Sequence, residues 1–337
     1  MMTENLTLVT TKDAVKIAVW EIFDSEKTHQ SSNVYANNDA PNKGQNIFLT
    51  HGTFSDKKTC LRIAEYLAGL GHHCYIMEWR GHGTSSNPND KFNFETVATY
   101  DFAATFDYLF KELKLNNLHC VTHSGGGACL TMFLIQHPQY INKINSISMF
   151  ACQVYGAIVN PKNYFKIMAA KIFTHLFGHI PAKKFKLGPI NESYFTMNQW
   201  YEWNLHKNFH SSFIKQSDID ANGIKKSAFD SSTRQKNTID SEIFDYRQYM
   251  PNITIPIYAI SAKGDKFISP TPGCSSLFND FNDFNHSLNK NSANVFREYA
   301  RSHGDLDDYT HSRILNSRTA AKEIWPTVAA WIEQHAR

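Results

Sequence analysis

Ser124 lies in the run Thr122-His123-Ser124-Gly125-Gly126-Gly127, between the strand-like Leu118-His119-Cys120-Val121 and a helical pattern over 126–137 that stops at Pro138. A serine hydroxyl is a weak nucleophile until a base takes its proton. A sharp strand-to-helix turn exposes such an oxygen. It also points the next backbone N–H, here that of Gly125, at the oxyanion that develops on an attacked carbonyl. The turn needs small neighbours, because strand and helix pass very close. Gly126, two after the serine, meets that need. Thr122, two before it, stands where glycine is usual and demands room for a β-branched side chain. The pattern points to acyl transfer. It makes a poor phosphate cradle, since no Lys-Ser/Thr pair follows the glycines.

A serine nucleophile needs a base, an acid and a second oxyanion donor. Gly264-Asp265 follows the apolar-rich run Ile255-Pro256-Ile257-Tyr258-Ala259-Ile260. A buried carboxylate there would fix the tautomer of a histidine and stabilise its charged form. The competing reading is an aspartate that caps a helix beginning near Pro270. Two histidines, His303 and His311, follow the last strand-like run, Val295-Phe296-Arg297-Glu298-Tyr299. His51-Gly52-Thr53-Phe54 ends the apolar run Ile47-Phe48-Leu49. In an open α/β sheet such a loop faces the nucleophile across the strand ends. The N–H of Thr53 or Phe54 could then be the second donor, and Phe54 is favoured. Gly52 and His123 are assigned to substrate binding, although the His123 ring is expected to run away along its strand.

These residues require a scaffold of alternating strands and helices, and the pattern supplies one. Residues 6–23 read as a hairpin, 57–70 and 94–113 as helices, and Cys74-Tyr75-Ile76-Met77 and Ile144-Asn145-Ser146-Ile147-Ser148-Met149-Phe150 as strands. Strict alternation implies a mostly parallel sheet with helices on both faces. The rhythm fails between about 155 and 250, where the chain turns helical and aromatic and then polar over 217–242. It resumes at Ile255 and closes with a helix over 317–335. Residues 25–46 read as a polar loop.

Composition narrows the partners. With 337 residues, 42% of them hydrophobic, the chain is long enough for one large domain with an insertion. A net charge of +3 without a basic stripe argues against nucleic acid. Six cysteines with no C-x-x-C pair argue against zinc and thioredoxin-like chemistry and suit a reduced, cytoplasmic setting. The N-terminus has no signal-peptide pattern and no run of about 18 apolar residues is present. Glu202, His206 and His210 fall at helical steps of four, but a solvated face explains them better than a metal. No metal site and no cofactor are expected. Asn160 to Leu187 carries six lysines, no acids and interleaved aromatic and aliphatic residues. Such a basic amphipathic segment either covers an active site or contacts an anionic membrane surface peripherally.

Taken together, His51-Gly52, Trp79-Arg80-Gly81-His82-Gly83-Thr84-Ser85, His123-Ser124-Gly125-Gly126, Gly264-Asp265 and a late histidine resemble the α/β-hydrolase superfamily over nearly the whole chain. The resemblance is closest to esterases and lipases. It implies an eight-stranded, mostly parallel sheet, with a core of residues 1–154 and 251–337 and a helical cap over 155–250. It implies a Ser-His-Asp triad of Ser124, Asp265 and a histidine. In the lipase-like subgroup the last histidine precedes a stretch ending in an aromatic-proline pair, here Trp325-Pro326, which favours His311 over His303. The implied substrate is a small ester with a hydrophobic acyl or alcohol part. An acyltransferase, a C–C bond hydrolase and a catalytically silent binding module would share the same fold.

Overall fold

The computed structural model describes residues 1–27, 44–220, 223–224, 243–283 and 293–337. The hairpin forms as its alternation requires: β1 (Met2–Thr10) pairs antiparallel with β2 (Lys16–Asp24), with Thr10 opposite Lys16. Next come β3 (Asn46–Thr50), β4 (His73–Met77), β5 (Leu118–His123) and β6 (Ile144–Phe150). The last two strands are β7 (Ile257–Ala262) and β8 (Val295–Tyr299). They form one eight-stranded sheet in the order β1-β2-β4-β3-β5-β6-β7-β8, parallel from β4 to β8. The central strands β5, β6 and β7 are buried along their whole length because both their faces are covered, so that polar residues such as His119, Asn145 and Ser146 also lie inside.

Side chains alternate across the sheet, so each strand feeds two cores. On β3, Phe48 joins one core and Ile47 and Leu49 the other. The Phe48 side is filled by helical turns over 94–112 (together α2), α3 (Gly125–Gln136) and α6 (Thr271–Asp283). There Phe106 packs against Phe133 with ring centroids 4.7 Å apart. The opposite side is filled by α1 (Lys58–Gly69) and α7 (Arg318–Gln334) through Leu67, Ile324, Val328 and Trp331. The stretch 94–113 is expected as one α-helix. It departs from that in two wide π segments, Val97–Phe102 and Tyr108–Glu112, and starts at a capping box of Asn93 and Thr96.

The order reverses at the sheet centre. From β3 the chain moves to β4 on one side, and from β5 it moves to β6 on the other. The loops leaving the carboxyl ends of β3 and β5 therefore diverge, and a crevice opens at that switch point. Those two loops carry His51-Gly52-Thr53-Phe54 and Ser124.

Between β6 and β7 lies the insertion. It is not purely helical, contrary to the reading of residues 155–250. It holds α4 (Pro161–Phe177) and α5 (Tyr194–His206). It also holds two short antiparallel pairs, His179–Ile180 with Glu192–Ser193 and His210–Lys215 with Ile243–Asp245. Asn163 Nδ2 donates to the carbonyls of Ala157 and Lys266, and Asn204 bonds the backbone of Val154 and Ala157. These bonds seat the insertion beside the carboxyl end of β7. Most of the polar tract expected over 217–242, and of the loop expected over 25–46, lies outside the described residues.

Candidate active site

Ser124 occupies the turn between β5 and α3 at φ 54° and ψ −126°. A non-glycine residue in that region stores of order 1–3 kcal/mol of strain and persists only where its surroundings hold it. Here the Ser124 N–H donates to the Phe150 carbonyl at 2.9 Å, and the Gly127 N–H to the Ser124 carbonyl at 3.1 Å. Neighbouring β5 and α3 residues are buried, while Ser124 and Gly125 keep partial exposure. Thr122 is accommodated from the far side. A Cβ on Gly127 would overlap Cys152 Sγ and approach Thr122 Oγ1 to 3.2 Å. The space that glycine usually leaves two before the serine is supplied here three after it.

The β3 loop closes on this turn. A Cβ on Gly52 would lie 2.7 Å from Ser124 Cβ, and one on Gly126 would lie 2.6 Å from the His51 carbonyl oxygen. Gly52 is thus backbone against the Ser124 turn. The Gly125 and Thr53 N–H groups have no hydrogen-bond partner among the described residues. Phe54 is different and corrects the expectation placed on it. It adopts φ 63° and its N–H donates to Glu192 Oε1 at 3.0 Å, so it is not free to bind an oxyanion.

The structure brings Asp265 and His311 together. His311 Nδ1 lies 2.6 Å from Asp265 Oδ2. The same carboxylate accepts the N–H groups of Ile268 and Ser269, each at 3.0 Å. Burial pushes the Asp265 pKa up, but His311 and these amides outweigh it and hold it below the ordinary carboxylate value. Gly264 explains how the two segments come together. A side chain there would overlap the Tyr309 carbonyl, so the turn before Asp265 packs directly on the loop that carries His311. His303, the alternative, lies elsewhere: its side chain is 50% exposed and faces Glu298.

His123, expected at the substrate, is instead turned to the His311 loop. Its ring is buried, its Nε2–H donates to the His311 carbonyl at 2.9 Å, and the two rings stand 4.8 Å apart. Burial and the nearby His311 lower its pKa to about 3, which keeps it neutral. The residue beside the serine thereby holds the histidine loop over the turn. No hydrogen bond joins Ser124 Oγ to His311 among the described residues. Contacts of this kind commonly tighten only when substrate is bound.

Glu192 went unnoticed in the sequence. It is buried on the insertion and accepts from both the Phe54 N–H and His82 Nε2, the latter at 2.8 Å. Burial depresses His82, and the Glu192 charge more than reverses that, so its pKa is raised. The available signal was isolation: Glu192 is the sole acid between residues 160 and 201.

No group of three or more His, Cys, Asp or Glu that could hold a metal occurs among the described residues. Glu202 pairs with Lys171 and His206, and His210 faces Asp245. A cleft of about 840 Å³ lies away from this site, lined by β1, the 94–112 turns and the end of α3.

Comparison with known proteins agrees with this architecture. No curated protein matches the chain by sequence. An esterase from Pyrococcus furiosus superposes with a TM-score of 0.58 at 13% identity, covering 100% of this chain and 92% of that one. An esterase from Exiguobacterium antarcticum gives 0.56 at 15% identity, covering 97% and 99%. A monoacylglycerol lipase from Paleococcus ferrophilus gives 0.54 at 15%, covering 87% and 97%. Identities this low speak for the fold alone. The family model for the alpha/beta hydrolase fold matches residues 45–288. With the switch-point crevice, the strained serine turn and this match, the chain belongs to the α/β-hydrolase family.

Proposed function

We propose that this protein is a serine hydrolase that cleaves carboxylic esters with a hydrophobic acyl or alcohol part. Ser124 attacks the ester carbonyl. His311 takes the serine proton and returns it to the leaving alcohol, and Asp265 holds His311 in the tautomer that can do so. The Gly125 and Thr53 N–H groups receive the oxyanion, and water then releases the acyl group. The observation that carries this reading is the Asp265–His311 pair, tied through His123 to the residue next to Ser124. The insertion serves as a cap. Its apolar underside, Ile167, Ile180, Met197 and Tyr201, packs with Phe54 of the β3 loop, which favours a hydrophobic group near the crevice. The cysteines are free and buried, which suits a reducing compartment.

Ser124→Ala is expected to lower p-nitrophenyl ester turnover by about 10⁶. A fluorophosphonate probe should label the native protein on Ser124 and leave the variant unlabelled. More than a few percent residual turnover, or no adduct on the folded native chain, refutes the reading. Across acyl lengths, activity should peak at medium or longer chains; a peak at acetate removes the hydrophobic-substrate assignment.

A further inference from the structure

Helix α4 is apolar on the wrong side. Its buried residues are Asn163, Ile167 and Thr174, two of them polar. Phe165, Ile172 and Leu176 fall on the opposite face at helical spacing and are 69%, 55% and 73% exposed. The helix therefore does not cover the crevice with its main apolar stripe, as an ordinary cap helix would. It turns that stripe to solvent. The following loop extends the patch: Phe185 is 52% exposed, and its ring stands 5.9 Å from that of Phe173 on α4. Single exposed apolar residues are ordinary, but a contiguous patch of large ones marks a binding surface.

Charge identifies the partner. Lys162, Lys183, Lys184 and Lys186 are exposed around the patch, and none forms an ion pair among the described residues. No acid lies between Asn160 and Leu187. A second copy of the chain would set these lysines against their own equivalents. No helix among the described residues is long and apolar enough to cross a membrane, so α4, about 25 Å long, can lie on a membrane but not span it. We propose that this face docks on an anionic phospholipid surface, with Phe165, Ile172 and Leu176 entering the headgroup boundary and the lysines meeting the lipid charge.

The test uses the full chain and reads binding without turnover, so it stands apart from the proposed chemistry. Sedimentation with phosphatidylserine–phosphatidylcholine vesicles should carry the protein down, and added salt should release it. Phosphatidylcholine vesicles alone should bind it far less. Phe165→Ser and Leu176→Ser should each weaken partition at least about tenfold, and Lys183→Ala and Lys184→Ala about fivefold each. Hydrolysis of a soluble short-chain ester should be unchanged in all four, which shows that they fold. Binding that is absent, equal on neutral vesicles, or unaffected by these substitutions overturns the proposal. So does a concentration-dependent dimer in ultracentrifugation that Phe165→Ser abolishes, which would place a second copy on this face.

Discussion

Replacing Asp265 by asparagine tests the site with the least change in shape. The Asp265 Oδ2 atom accepts from both His311 Nδ1 and the Ser269 N–H, and Oδ1 accepts from the Ile268 N–H. Asparagine has one acceptor oxygen and one amide nitrogen, so one of these positions must face an N–H with an N–H. The backbone donors cannot change; the histidine can, by moving its proton. The favoured arrangement therefore puts the amide nitrogen toward His311. It donates to Nδ1 and forces the imidazole proton onto Nε2. An Nε2 that carries a proton cannot take one from Ser124. The expected loss is about 10⁴ in kcat, or about 5.5 kcal/mol of barrier, with KM little changed. The leftover clash with Ser269 costs a further 1–3 kcal/mol or so in stability. Steady-state kinetics on a p-nitrophenyl ester, alongside urea unfolding, measures both. If Asp265→Asn keeps more than about a tenth of native kcat, far above the loss expected of a wrong tautomer, Asp265 is only a loop cap and the reasoning fails.

Other outcomes follow from the same geometry. His303→Ala should keep kcat within about twofold, as an exposed side chain remote from Asp265 would, whereas His311→Ala should lose about 10⁴ or more; the reverse pattern would exchange their roles. Glu192→Ala strips the partner from His82 and from the Phe54 N–H, and should cost about 3–5 kcal/mol in urea unfolding; a loss below about 1 kcal/mol would show that the buried pair is idle. Stability should also fall steeply in acid. His51, His119 and His123 are buried, with pKa values near 3, and each takes up a proton on unfolding once the pH drops below its unfolded value of about 6.5. The slope near pH 5 is about 1.4 kcal/mol per pH unit per histidine, or about 4 kcal/mol per pH unit for the three together. His82, raised instead, is protonated in both states there and adds no slope. An unchanged urea midpoint between pH 7 and pH 5 would contradict this.

Much of this protein is local information. The apolar run Ile47-Phe48-Leu49, the apolar-rich run before Gly264 and the helix that stops at Pro138 are properties of short segments. Local propensity and period place such elements to within a residue or two of where they form. The turn at Ser124 was legible for the same reason: strand, turn and helix are contiguous, so its geometry is written in a few neighbouring residues.

What joins distant segments was legible only in part. The family resemblance named Asp265 and favoured His311 over His303, but residue pattern alone left the histidine open; the packing of Gly264 on the histidine loop is what brings these two side chains, 46 residues apart, together. Phe54 lost its assigned role to Glu192, 138 residues away, because a backbone N–H can serve one strong acceptor at a time. The orientation of α4 was hidden as well. Periodicity finds the stripe of Phe165, Ile172 and Leu176 but not which way it points, and packing of Asn163 and Thr174 inward decided that this side met water. Composition and period determine which elements form. Which of their groups meet across the crevice depends on close packing between segments far apart in the chain, and that is settled only when the sheet is assembled.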